Sequence, residues 1–106
     1  MNPTSLYERL IESSREAFSG GFFETSYHIL CAATHYAKDV ENIDYLTDIL
    51  QIAHEQSAWI NLHATDNILS SQNVHKRGGV DLFKSLFRHI EGDILIVKTK
   101  QRRRLR

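Results

Sequence analysis

Residues 5–38, SLYERLIESSREAFSGGFFETSYHILCAATHYAK, carry the clearest structural signal in this chain. Ser5 is followed three residues later by Glu8, the pattern of a capping box at a helix N-terminus. Apolar residues then recur every three or four positions up to Phe18, which indicates a helix with a broad apolar face. Gly20-Gly21 is predicted to end this helix, because glycine accepts the left-handed conformation that is common at helix C-termini.

A second helix is predicted from Phe22 to about Lys38. Phe23, Tyr27 and Leu30 recur there at the spacing of one helical face. Because the glycine loop before it is short, we expect the two helices to form an antiparallel hairpin.

The middle of the chain has one long amphipathic pattern. Asn42 is a good N-cap, and apolar or small residues then recur every three or four positions without a Gly or Pro. This pattern predicts helix over residues 43–71, either unbroken or interrupted by a turn near residues 55–58.

The last third of the chain contains more turn-forming and basic residues. Residues 70–79 read as a flexible connection, and Lys76-Arg77-Gly78-Gly79 just before a helix is also a candidate anion-binding turn. A short fourth helix from Val80 is predicted to end at Gly92. The sequence therefore suggests a helical domain over residues 1–92, then a short apolar segment and a basic, flexible tail over 93–106.

The expected fold class is all-α, a small antiparallel helical bundle or helical-hairpin array of about four helices with a basic C-terminal tail. The chain has 106 residues, which suits one domain, and its single cysteine excludes an internal disulfide. No apolar run approaches the ~20 residues that span a bilayer, and the N-terminus shows no signal-peptide pattern. We therefore expect no transmembrane segment and a cytoplasmic location.

The hairpin resembles a tetratricopeptide repeat over roughly residues 6–38. That family has a glycine at the turn between its two helices and small or apolar residues at fixed steps on both. The residues at those spacings here are Leu10, Ala17, Gly21, Phe23, Ser26, Leu30 and Ala33. The resemblance implies helical-hairpin packing and a protein-binding scaffold. One repeat later the turn glycine is missing.

Metal-ligand residue types line one side of the second helix. His28, Cys31 and His35 follow Glu24 at helical spacing, but His28 and His35 lie about 10.5 Å apart along the axis. One ion would not easily reach both, so these three residues are weak metal candidates, and we expect no metal or other cofactor. A catalytic Cys31 is also disfavoured, because it lies mid-helix among acidic residues that would raise the pKa of its thiol.

Charge is distributed unevenly along the chain. It has 13 basic and 13 acidic residues, yet residues 98–106 carry six of the basic ones. Such a run could remain solvated, fold back onto the acidic body of this or another copy, or bind the phosphates of nucleic acid or an anionic membrane surface. The candidate nucleic-acid or anion-binding residues are Lys98, Lys100, Arg102, Arg103, Arg104 and Arg106.

These observations favour a helical protein-interaction or scaffold module without catalytic activity. Its expected partner is another protein or a second copy of the chain. The alternative is an accessory nucleic-acid-binding protein that uses the basic C-terminal residues. Trp59 is expected to pack in the core against the second helix, and an exposed Trp59 would instead be a candidate interface anchor.

Overall fold

The computed structural model describes residues 5–105 and contains five helices in that range. They are α1 (Leu6–Ser19), α2 (Phe23–Asp39), α3 (Ile43–His63), α4 (Ser71–Arg77) and α5 (Leu82–Arg104). The described residues contain no strand, so the all-α prediction is confirmed, with five helices in place of about four. Within the same range, no helix is long and apolar enough to cross a bilayer.

Short-range hydrogen bonds fix the helix ends. Four N-cap side chains each accept a hydrogen bond from the backbone amide three residues later; they are Ser5, Asn42, Ser70 and Asp81. The C-termini of α1, α2 and α4 close in Schellman turns. Each of these turns contains one residue with a positive φ, 84° at Gly21, 53° at Glu41 and 68° at Gly78. Glu41 is the one that is not glycine.

Side-chain contacts set the directions of the four long helices. Three side-chain contacts join α1 to α3: Tyr7–Tyr45, Ser14–Gln56 and Phe18–Trp59. Because the residue numbers rise together in both helices, α1 and α3 run in the same direction. The contacts between α2 and α5 are Tyr27–Phe83, His35–His89 and Lys38–Asp93, so these two helices also run in the same direction. The core lies between α2, α3 and α5, where Leu30, Ile49, Ile60, Phe83 and Ile90 are fully buried.

Helix α3 ends at His63 and is unbroken before it. The prediction of helix as far as residue 71 is therefore wrong, and so is the alternative prediction of a turn near residues 55–58. The side chains after Ala64 compete with a helical backbone: Asn67 Oδ1 accepts from the Leu69 amide at 2.9 Å. This turn directs Leu69 into the core, where it is 2% exposed. Helix α4 then occupies part of the predicted flexible connection.

Helix α5 runs through Gly92 to Arg104, so the predicted stop at Gly92 is wrong. A glycine inside a helix costs about 1 kcal/mol relative to alanine. Beyond it Val97 is 1% exposed, and burying a valine side chain contributes about 1.5–3 kcal/mol. Packing therefore outweighs propensity, and the segment expected to be apolar and then flexible is helical as far as Arg104. Arg106 lies outside the described residues.

The molecule is flat. Its principal extents are 49 × 37 × 16 Å and its radius of gyration is 15.1 Å, against about 13 Å for a compact domain of this length. Its accessible surface is 6918 Å², which exceeds by roughly 800 Å² the surface of a typical monomer of this mass. The helices thus leave more surface open than a rounder packing would.

Candidate functional site

A groove runs between α1 and α3. This α1–α3 groove has a volume of about 380 Å³ and is lined by Arg15, Phe18, Ser19, Ile52, Glu55, Gln56 and Trp59. A further hollow of about 280 Å³ shares part of that lining and continues towards the turn between α1 and α2; its residues are Phe18, Ser19, Gly21, Phe23 and Trp59. The groove therefore combines an apolar end with polar sides.

A buried polar network joins α1, α2 and α3 beside the groove. Ser26 Oγ lies 2.9 Å from Gln56 Oε1 and 2.8 Å from Ser14 Oγ, and Gln56 Nε2 donates to Ser14 Oγ at 3.3 Å. Both serines are fully buried. Their small side chains let α1 and α2 approach closely, and their hydroxyls satisfy the amide of Gln56. The network fixes the separation of the two helices that flank the groove.

Aromatic side chains close one end of the groove. The ring of Trp59 lies 5.6 Å from those of both Phe18 and Phe23, centroid to centroid. Trp59 is nevertheless 44% exposed, so its expected place in the core is wrong. The ring covers the turn between α1 and α2 from outside. Phe22 beside this cluster is 66% exposed, and Leu62, one turn further along α3, is 74% exposed.

Acidic side chains lie on both helices that flank the groove. Glu8 and Glu12 share a helical stripe with the lining residue Arg15. On α3, Asp48 accepts a hydrogen bond from the Tyr7 hydroxyl across the junction of the two helices. Burial, and then that carboxylate, raise the pKa of Tyr7 well above its usual range. Arg15 and Glu55 offset each other in the lining, so the negative charge near the groove comes from the flanking acidic residues.

A second cleft, of about 250 Å³, lies between α2 and α5. It is lined by Tyr27, Cys31, Thr34, His35, Ser85, Leu86 and His89. Burial raises the pKa of the Cys31 thiol, which is the expected direction from a different cause, since the sequence pointed to nearby acidic charge. Burial, followed by the Cys31 thiol, raises the pKa of Tyr27 to about 12. Both groups therefore remain protonated near neutral pH.

The three weak metal candidates do not converge. Cys31 and His35 line this cleft, whereas His28 is exposed and lies 3.8 Å from Glu24. The structure brings His89 to His35 instead, with ring centroids 6.0 Å apart. Nothing in the sequence pairs two residues so distant along the chain. Between residues 5 and 105, no group of three or more His, Cys, Asp or Glu side chains could hold a metal ion.

A buried carboxylate lies next to this cleft. Asp93 is 3% exposed, with Lys38 Nζ at 3.4 Å from Oδ1 and His89 Nε2 at 3.2 Å from Oδ2. The contact to His89 lacks hydrogen-bond alignment, so Oδ2 has no hydrogen-bond partner in the described part of the chain. Lys38 is therefore the main compensation for this buried charge.

The basic C-terminal residues split into two groups. Arg104 forms an ion pair with the Glu41 carboxylate, which holds the pKa of that carboxyl below its usual range. Gln101 Nε2 donates to the Glu41 carbonyl at 3.0 Å, so the end of α5 folds back onto the turn between α2 and α3. The other described basic residues of the segment point outwards; they are Lys98, Lys100, Arg102 and Arg103.

The turn considered for anion binding is used internally. Arg77 donates from Nε to Asn73 Oδ1 at 2.6 Å and from a terminal nitrogen to the Ile68 carbonyl at 3.0 Å. The N-terminus of α5 already holds a carboxylate, because Asp81 caps it by accepting from the Lys84 amide. An external anion would have to compete with Asp81, so this turn is a poor anion site.

Comparisons of the chain with protein-family models, with curated proteins and with solved structures give no significant match.

Proposed function

We propose that this protein is a helical protein-interaction module without catalytic activity, which binds a helical segment of a partner in the α1–α3 groove. The observation that carries the proposal is Trp59, a half-exposed tryptophan at the apolar end of a groove with polar sides. Tryptophan is enriched among the residues that dominate binding energy, and a shallow groove between two helices suits an amphipathic helix.

Two further features support a binding role. Ten large hydrophobic side chains are exposed among residues 5–105, including Phe22 and Leu62 near Trp59. The raised pKa of the Cys31 thiol supports a non-enzymatic role, because a nucleophilic cysteine needs a lowered one. The α1–α2 hairpin followed by α3 is also compatible with the resemblance to tetratricopeptide repeats, whose members bind protein segments.

The proposal is tested by partner capture with matched variants. Trp59→Ala removes the groove anchor, whereas Val80→Ala shortens another exposed hydrophobic residue, 68% exposed, that does not line the groove. Proteins that bind through the groove should be captured by the wild type and by Val80→Ala and lost with Trp59→Ala. Equal capture by all three proteins would contradict the groove as the binding site.

A second candidate function, binding of nucleic acid through α5, is favoured by the helical conformation of its basic end. Lys98, Lys100, Arg102 and Arg103 are exposed on a helix anchored at Glu41, so their charges keep a fixed spacing. Affinity for a short single-stranded oligonucleotide should then fall steeply with salt. It should also be lost in Lys98→Glu/Arg102→Glu and kept in Arg9→Glu/Lys76→Glu, which carries the same charge change elsewhere.

A further inference from the structure

Gly92 lies in the middle of α5 and is exposed, and the described residues give no packing reason for a glycine there. A Cβ atom built at this position would meet no other atom within 4 Å, and its φ lies outside the left-handed region. A helix-interior glycine destabilises a fold relative to alanine, so the fold alone would gain from a side chain here. A glycine on a helix surface does allow another backbone to approach closely, which points to a contact made outside the molecule.

Gly92 belongs to a stripe that we name the basic face of α5. It follows one side of the helix at steps of three and four residues and comprises Lys84, Arg88, Gly92, Leu95, Lys98 and Arg102; one exposed acidic residue, Glu91, lies on the same side. Leu95 next to the glycine is 64% exposed, so the face pairs an apolar anchor with flanking positive charge. The whole of α5 carries seven basic residues against two acidic ones.

The two helices that flank the α1–α3 groove carry the opposite net charge. Helices α1 and α3 together carry six acidic residues and two arginines. Glu55 lines the groove together with Arg15, and Glu12 precedes Arg15 by one turn on α1. Two basic faces brought together would repel each other, which disfavours a symmetric contact of α5 with α5. The helices beside the groove and the basic face are instead opposite in net charge.

We propose that the α1–α3 groove of one copy receives the basic face of α5 from a second copy. This inference rests on the proposed function and names the partner of the same groove. The contact is heterologous, since the donating and the accepting surfaces differ.

The test uses two full-length variants, each of which should fail to self-associate because its groove and its α5 carry charges of the same sign. The face variant is Lys98→Glu/Arg102→Glu, with an intact groove and Trp59. The groove variant is Glu12→Lys/Glu55→Lys/Trp59→Phe, with an intact α5 and no tryptophan. Arg9→Glu/Lys76→Glu is the control, and circular dichroism establishes that every variant is folded. Light scattering gives the mass of each protein over a range of concentration and salt.

We expect the wild type and the control to associate at low salt and to dissociate as salt is raised. Each variant alone should remain monomeric. Their mixture should form a complex in which both charge pairs are restored, and the fluorescence of Trp59, present only in the face variant, should shift to shorter wavelength as the ring is covered.

Two results would overturn the inference. Association of the groove variant alone, with a monomeric face variant, would indicate a symmetric contact through α5. A wild type that stays monomeric at low salt and high concentration would exclude a second copy as the partner, whether or not it binds nucleic acid. Neither result touches the proposed function, which depends on whether Trp59→Ala loses captured proteins.

Discussion

The side-chain amide of Gln101 donates a 3.0 Å hydrogen bond to the backbone carbonyl of Glu41, sixty residues earlier in the chain. Glu41 has a positive φ in a Schellman turn, where glycine is the usual residue, and its carboxylate also holds Arg104. The turn between α2 and α3 thus provides the docking point for the end of α5. It orders basic residues that the sequence alone assigns to a flexible tail.

Replacing both anchors should release the last turn without unfolding the domain. In Gln101→Ala/Arg104→Ala we expect faster amide hydrogen exchange in residues 101–105 and an unchanged melting temperature, because these groups lie at the surface. Gln101→Ala/Arg103→Ala is the control, since Arg103 is exposed and lies outside the Glu41 contact. Equal exchange in the two variants would show that Arg104 does not hold the helix end.

Acidification should release the same contact. Hydrogen bonding to Arg104 lowers the pKa of the Glu41 carboxyl from its usual 4.5. A lowered pKa in the folded state means that the carboxylate stabilises the turn above pH 4.5, and that this contribution is lost as pH falls below that value. NMR amide signals of residues 101–105 should therefore start to shift only below pH 4.5. Glu41→Gln should remove this dependence, and a transition above pH 4.5 would contradict the ion pair.

The sequence predicted the local features of the fold better than its long-range ones. The caps at Ser5 and Asn42 and the turn at Gly20-Gly21 were predictable because they depend on neighbouring residues. The predicted end of the helix at Gly92 was wrong because rules based on neighbouring residues do not predict the burial of Val97. Propensity terms of about 1 kcal/mol lose to core packing whenever the two disagree.

The candidate site was not predictable for a related reason. The α1–α3 groove exists because α1 and α3 run in the same direction on one side of α2, and single-helix periodicity does not report that neighbourhood. Trp59 lies beyond the main apolar stripe of its helix, which was a usable signal of exposure. His89, in contrast, joins His35 only through the parallel course of α2 and α5.

The polar network at Ser26 should matter more to stability than a surface serine does. Ser26→Ala removes the hydroxyl that lies 2.9 Å from Gln56 Oε1 and leaves a buried oxygen without a donor. We expect the free energy of unfolding to fall by about 1–3 kcal/mol in urea denaturation. Ser13→Ala, at an exposed position of α1, should stay within about 0.5 kcal/mol. Adding Gln56→Leu to Ser26→Ala should recover part of the loss, and equal effects at Ser13 and Ser26 would contradict the network.

Tyr27 should make stability depend on alkaline pH. Burial and the adjacent Cys31 thiol raise its pKa from 10 to about 12. A raised pKa means that the contribution is complete below pH 10 and is lost as pH rises towards 12, because the unfolded chain releases the proton first. The urea midpoint should therefore fall across this interval, and less steeply in Tyr27→Phe. Tyr7→Phe should act in the same direction, whereas an unchanged slope in Tyr27→Phe would contradict the burial of the hydroxyl.

Gly92→Ala should separate folding from association, because its two effects have opposite signs. In the monomer the added methyl group meets open space and removes backbone freedom from the unfolded chain, so the free energy of unfolding should rise by about 0.5–1 kcal/mol. In the contact with a second copy the same methyl group would hold the two backbones apart, and self-association should weaken several-fold. Urea denaturation of the dilute protein measures the first effect and light scattering the second.

If Gly92→Ala is more stable than the wild type but self-associates as strongly, Gly92 lies outside the interface. Arg88→Ala, which keeps the glycine and removes one positive charge from the same face, should weaken association only at low salt.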